Sequence, residues 1–178
     1  DEETLLLRFK AAYVFDISQT DGEELPTISH VTGDPREYTE RLKTLIAAKS
    51  IVLEYADDLG GAHGLSAGGR IKMLTGLSAA EEFSVLTHEL AHELLHRGER
   101  RATLSKTARE TEAEAVAFVV NHAIGLTGAV DAAADYIQLY AGEAKTLAES
   151  LDHIQKTAAE IIAAITAEAE AVAETASA

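Results

Sequence analysis

The chain reads as a mainly helical α+β domain with a small, mostly antiparallel three-stranded sheet. Three observations predict this. Apolar residues recur at helical spacing over most of the chain after position 78, short glycine-bounded runs between Ile51 and Leu74 look like strands, and 178 residues suffice for one domain with a substantial core.

Taken in order, residues 5–17 carry the β-branched and aromatic content of one or two strands, and Gly22 to Pro26 reads as a turn or linker. No partner strand follows closely, so that segment is expected to belong to a sheet lying mostly upstream. An opening Asp1 in place of methionine fits a piece of something longer. We divide the chain into residues 1–26 (remnant strands and linker), 27–167 (the main domain) and 168–178 (an alanine- and glutamate-rich tail that projects or frays).

Asp34-Pro35 predicts a helix running to about Lys49, with Leu42, Leu45 and Ile46 facing inward. Ile51 to Tyr55 predicts a strand, and the glycines at 60, 61, 64, 68 and 69 punctuate two more, near Ala62 to Ser66 and Arg70 to Leu74, as a hairpin. These glycines do not form a phosphate loop, because no Gly-Lys-Ser/Thr follows them. Ser78 with Glu81 reads as a capping box that opens a long helix, and Arg97-Gly98 reads as its stop. Phe83, Leu86, Leu90 and Leu94 form its apolar stripe, and Ala91 leaves room for a neighbouring backbone.

Ser105 or Thr107 opens a second long helix through Ile124, closed by Gly125, whose Ala113, Val116, Ala117 and Val120 pack on a neighbour. Asp131 to Tyr140 predicts a shorter helix. Glu143 to about Ala167 predicts a long one, with a seam of Leu147, Leu151, Ile154, Ala158, Ile161 and Ile165 expected to pack onto its own domain.

The chemistry is concentrated in His88-Glu89-Leu90-Ala91-His92. Two imidazoles four residues apart on a helix share a face and can reach one cation. The carboxylate between them can instead deprotonate a metal-bound water, the task of the general base in a zinc hydrolase. His88 and His92 are therefore the expected ligands and Glu89 the base. The bland reading is an amphipathic helix with two solvated histidines, but the motif sits well inside a half-buried helix.

A catalytic zinc takes a third protein ligand and leaves one position open. His96 is excluded, since an unbroken helix places it about 12 Å along the axis from His88. It reads as a last-turn histidine favoured by the helix dipole. In Glu110-Thr111-Glu112-Ala113-Glu114 we assign Glu110 as the ligand and Glu114 as the acceptor that orients a ligand imidazole, with Glu112 and Glu114 remaining the alternatives for third ligand. The bland alternatives are a capping partner of Thr107 for Glu110 and a solvated charge for Glu114. The strand from Gly69 to Leu74 is expected beside the metal, holding an extended peptide by strand addition. Tyr136 and His63 are the candidates for steadying an oxyanion, though an ordinary structural role is the commoner one for each.

Composition bounds the partners. With 30 acidic against 15 basic residues, a formal charge of −15 argues against nucleic-acid binding by this chain itself. The absence of cysteine leaves nitrogen and oxygen as metal ligands and fits a reducing compartment. No signal peptide or membrane-spanning run is visible, so a cytoplasmic location is expected.

His88 to His92, followed by Glu110-x-x-Ala113-Glu114-x-x-Ala117, resembles the gluzincin arrangement of the ImmA/IrrE metallopeptidases and of the C-terminal domain of ArdC-type antirestriction proteins. The likeness extends through Ala134-Asp135-Tyr136-Ile137, and Tyr13 to Thr20 resembles the close of an ArdC-type single-stranded-DNA-binding domain. The resemblance implies a zincin-like fold, one Zn²⁺ per chain on His88, His92 and Glu110, Glu89 as catalytic base, and hydrolysis of a protein or peptide substrate. Single-stranded DNA would then be a partner only through a missing N-terminal domain. Asparagine is commoner in that family where Glu114 stands, which leaves the register of the second helix open. Two other readings compete: a metal-loaded but proteolytically silent module of an antirestriction protein, and a helical interaction domain with an accidental motif.

Overall fold

The computed structural model describes residues 31–128 and 144–167, with side chains from 148 onward in the second span. The expectations for residues 5–17, for the helix at 131–140 with Tyr136, and for the tail lie outside the described residues.

The first helix, α1 (Tyr38–Ala48), starts later than Asp34-Pro35 suggests. Arg36 lies at φ +49° with its N–H bonded to Asp34 Oδ1 at 2.9 Å, so the acidic side chain closes a turn there and α-helical dihedrals begin only after it. Leu42 and Ile46 are buried and Leu45 partly so.

Strands β1 (Val52–Ala56), β2 (Gly64–Ser66) and β3 (Arg70–Leu74) form one sheet in the order β1-β3-β2. The β2–β3 hairpin is antiparallel, as its glycines predict. Gly68 and Gly69 both have positive φ, and the Ala67 N–H donates to the Arg70 carbonyl at 2.9 Å, the geometry of a two-residue hairpin turn. The expectation of a mostly antiparallel sheet is corrected by β1 and β3, which pair in parallel over five residues from Val52↔Arg70 to Ala56↔Leu74. The chain leaves β1 for the far edge, lays down β2 and returns through the turn into the gap, which makes β3 central and parallel to β1. Ile71 and Met73 alternate inward from β3 and are fully buried.

Helix α2 (Ala79–Leu95) carries the histidine motif and begins with the predicted capping box: the Glu81 N–H donates to Ser78 Oγ, and the Ser78 N–H donates to Glu81 Oε2. Phe83, Leu86 and Leu90 are fully buried, and Leu94 partly. A short helix, α3 (Gly98–Thr103), follows where only a stop was expected. Helix α4 (Lys106–Ala123) is capped by Ser105, whose Oγ accepts from the Ala108 N–H, and not by Thr107. Helices α2 and α4 pack against each other, and Ala91 on the first and Ala113 and Ala117 on the second are buried, small side chains that allow close helix approach. Helix α5 (Ala144–Thr166) packs on α4 and α1 through Ile154, Ala158, Ile161 and Ile165; Leu151, expected in that seam, is 49% exposed. Among the described residues no helix is long and apolar enough to cross a membrane.

Candidate metal centre

Helix α2 projects His88, Glu89, His92 and His96 toward a seam formed with α4 and β2. His88 and His92 turn their Nε2 atoms toward each other at 3.1 Å. Glu110 Oε2 on α4 lies 3.6 Å from the first and 3.4 Å from the second. A point equidistant from these three atoms is about 2 Å from each, the length of Zn–N and Zn–O bonds. The donor set and its spacing therefore fit a single small divalent cation.

Second partners fix which nitrogen of each ring carries hydrogen. His88 Nδ1 lies 3.1 Å from Glu114 Oε2, and a carboxylate only accepts, so Nδ1 donates and Nε2 keeps a lone pair. For His92 the link is longer. Its Nδ1 lies 2.9 Å from His96 Nδ1, and His96 Nε2 lies 3.0 Å from Glu112 Oε2. Glu112 takes the Nε2–H of His96, the bare His96 Nδ1 takes the Nδ1–H of His92, and the lone pair of His92 Nε2 is left aimed at His88 and Glu110. Three electron-rich atoms thus converge, an arrangement that calls for a positive charge among them.

The side chains alone supply that charge as one proton. Burial would lower the His88 pKa, but bonds from Glu110 and Glu114, with Glu89 nearby, raise it to about 9. Burial and the charge of His88 lower His92 to about 4, against the pull of Glu110. The bond with His88 holds Glu110 down at about 2. A divalent ion would displace that proton, because ligating imidazoles must be neutral.

Glu89 is 7% exposed, forms no hydrogen bond among the described residues, and lines the clefts on both sides of the cluster. Burial raises its pKa to about 7, with Glu110 and Glu93 adding and His88 opposing. Its position depends on Gly64, where an added Cβ would sit 2.8 Å from Glu89 Cγ and 2.7 Å from Val85 Cγ1. The missing side chain lets β2 lie directly against the carboxylate.

The expectation that β3 holds a substrate strand is corrected by the sheet order. β3 is flanked on both sides, whereas among the described residues β1 and β2 are the edge strands and β2 is the one that lines the cleft, through Gly64, Leu65 and Ser66. His63 is exposed beside it in the second cleft.

Sequence reasoning missed the role of His96. It caps α2 and is buried at 2% exposure, and its partner is Glu112 as well as the end of its helix. Glu112 also accepts two bonds from Arg100, each 2.8 Å, and one from Ser150 on α5. Burial pushes its pKa up, but these donors hold the carboxyl down at about 2. The four-residue spacing from His92 to His96 was the available signal, since it puts both rings on one helix face. Compared with family models, curated proteins and solved structures, the chain matches none.

Proposed function

We propose that this chain is a zinc-dependent metalloendopeptidase with a zincin-like fold, acting on a protein or peptide substrate. The observation that carries the reading is the convergence of His88 Nε2, His92 Nε2 and Glu110 Oε2 with spacings suited to one cation, beside a buried carboxylate with no competing partner. Zinc held there supplies a Lewis acid and an acidified water.

The protein's own groups do the rest. Glu89, with its pKa near 7, accepts the proton of the attacking water and delivers it to the leaving amine. Glu114 and the His96–Glu112 pair keep the two imidazoles in the ligating tautomer. The open edge of β2 offers backbone donors and acceptors to an extended substrate, placing a peptide carbonyl over the cluster.

The order of the histidine motif, Glu110 and Glu114 supports membership of the gluzincin-type ImmA/IrrE metallopeptidases, as the C-terminal domain of an ArdC-type antirestriction protein, and the cysteine-free composition supports a cytoplasmic setting. Zinc analysis and Glu89→Gln test the reading. Stoichiometric zinc in both proteins, with substrate cleavage by wild type alone, is expected. Absence of zinc points to an accidental motif, and zinc with no cleavage by wild type points to a silent binding module.

A further inference from the structure

In a chain with twice as many acidic as basic residues, most described lysines and arginines pair with a carboxylate, Arg41, Lys43, Lys49, Arg70 and Arg100 among them. Arg36, Lys72, Arg101, Lys106 and Arg109 pair with none, and the last three line the same cleft of about 470 Å³, together with Glu89, His92 and Glu110. Arg109 braces this wall by donating from Nη1 to the carbonyls of Arg101, at 2.9 Å, and Leu104, at 2.6 Å. The side chains of Arg101 and Lys106 form no hydrogen bond or ion pair among the described residues, and both residues are exposed. Among the described residues, the cleft on the other side of the cluster has no lysine or arginine in its lining and includes Glu114. The two flanks of the metal cluster therefore differ in sign.

Leaving cations unpaired on an acidic protein preserves attraction for an incoming anion, and a cleft wall of one charge focuses that attraction. The geometry points to a substrate bearing a carboxylate on the α3 side of the scissile bond, recognised by Arg101 and Lys106. This rests on the peptide-hydrolase reading. Arg101 and Lys106 line the same cleft as Glu89, His92 and Glu110, so the recognised group lies close to the bond that is cut. A peptide fits better than a nucleic acid because the opposite wall is the open edge of β2, which pairs with backbone amides, and because the chain as a whole repels phosphates.

The test is fluorescence anisotropy with zinc-loaded Glu89→Gln protein and short fluorescein-labelled peptides in which one glutamate is scanned against glutamine. Glutamate at one or two adjacent positions should tighten binding about tenfold, and Arg101→Glu with Lys106→Glu should erase or invert that preference while zinc content stays stoichiometric. Single Arg101→Gln and Lys106→Gln variants, each giving a partial loss, serve if the double variant is unstable. Peptides with free and amidated C-termini separate a side-chain carboxylate from a terminal one. Equal binding of glutamate and glutamine peptides, binding of none, or tighter binding of a single-stranded oligonucleotide overturns the inference. Digestion of the tightest binder by wild type is scored separately: no cut sinks the hydrolase reading and leaves the recognition standing.

Discussion

Two clusters of imidazole and carboxylate lie one helical turn apart between the same pair of helices, and they differ in what balances their charge. In the inner one, His96 and Glu112 are fully buried, and Arg100 supplies a cation through two bonds to the carboxylate. In the outer one, His88 and His92 meet Glu110 and Glu114, whose side chains are about half exposed, and among the described residues no lysine or arginine pairs with either glutamate. The inner cluster is complete as built and joins α2, α3, α4 and α5. The outer one has its donors placed, and among the described residues the positive charge between them is the proton that His88 holds. Similar residue types thus become a closed tie or an open cluster according to whether the fold provides an arginine or lysine as counter-charge.

Removing the inner carboxylate should have the largest effect. Glu112→Ala leaves Arg100 and His96 without their shared acceptor in a buried place, and a loss of about 3–5 kcal/mol is expected by urea denaturation. The same cluster sets an acid limit. Because the folded pKa of Glu112, about 2, lies below its ordinary value of 4.5, its contribution is complete above about pH 4.5 and is lost as pH falls toward 2. Acid titration of wild type followed by circular dichroism should show a destabilisation in that window that is smaller in a Glu112→Gln variant, the remainder coming from Glu110 and Glu114, whose pKa values are also lowered.

The outer cluster should respond in the opposite sense. Glu110→Ala is expected to leave unfolding of the zinc-stripped protein nearly unchanged and to weaken zinc binding by roughly a hundredfold or more, measured by competition with a chromophoric chelator. A large stability loss would mean that this cluster, too, is a structural tie. His96→Phe connects the two regions. It keeps a ring in the buried space but removes the acceptor for His92 Nδ1, so zinc affinity should fall about 10- to 100-fold. Unchanged affinity would break the link between the clusters.

What the sequence disclosed divides along the range of the interactions. The capping box at Ser78 and Glu81, the Gly68-Gly69 turn and the stripe of Phe83, Leu86 and Leu90 are local, so spacing alone revealed them. A bond from Glu114 to one of the two motif imidazoles was expected, and the structure places it on His88. The insertion of β3 between β1 and β2 was not legible, because strands of three and five residues carry too little pattern to set an order. Nor was the bond between His96 and Glu112, which depends on how far α4 slides along α2. Leu151 shows the same limit, since its heptad-like spacing suited the seam but α5 turns it outward at 49% exposure.

Gly64 has a consequence for how such a site can diversify. With one carbon absent from the strand, β2 lies directly against the Glu89 carboxylate, proposed above as the base, and any replacement would wedge them apart or rotate the carboxylate out of its place. The gap between these two working parts is therefore fixed by a residue with nothing to vary. Changes in preference must be written on the surrounding rim, where longer side chains can be exchanged without shifting the machinery beneath.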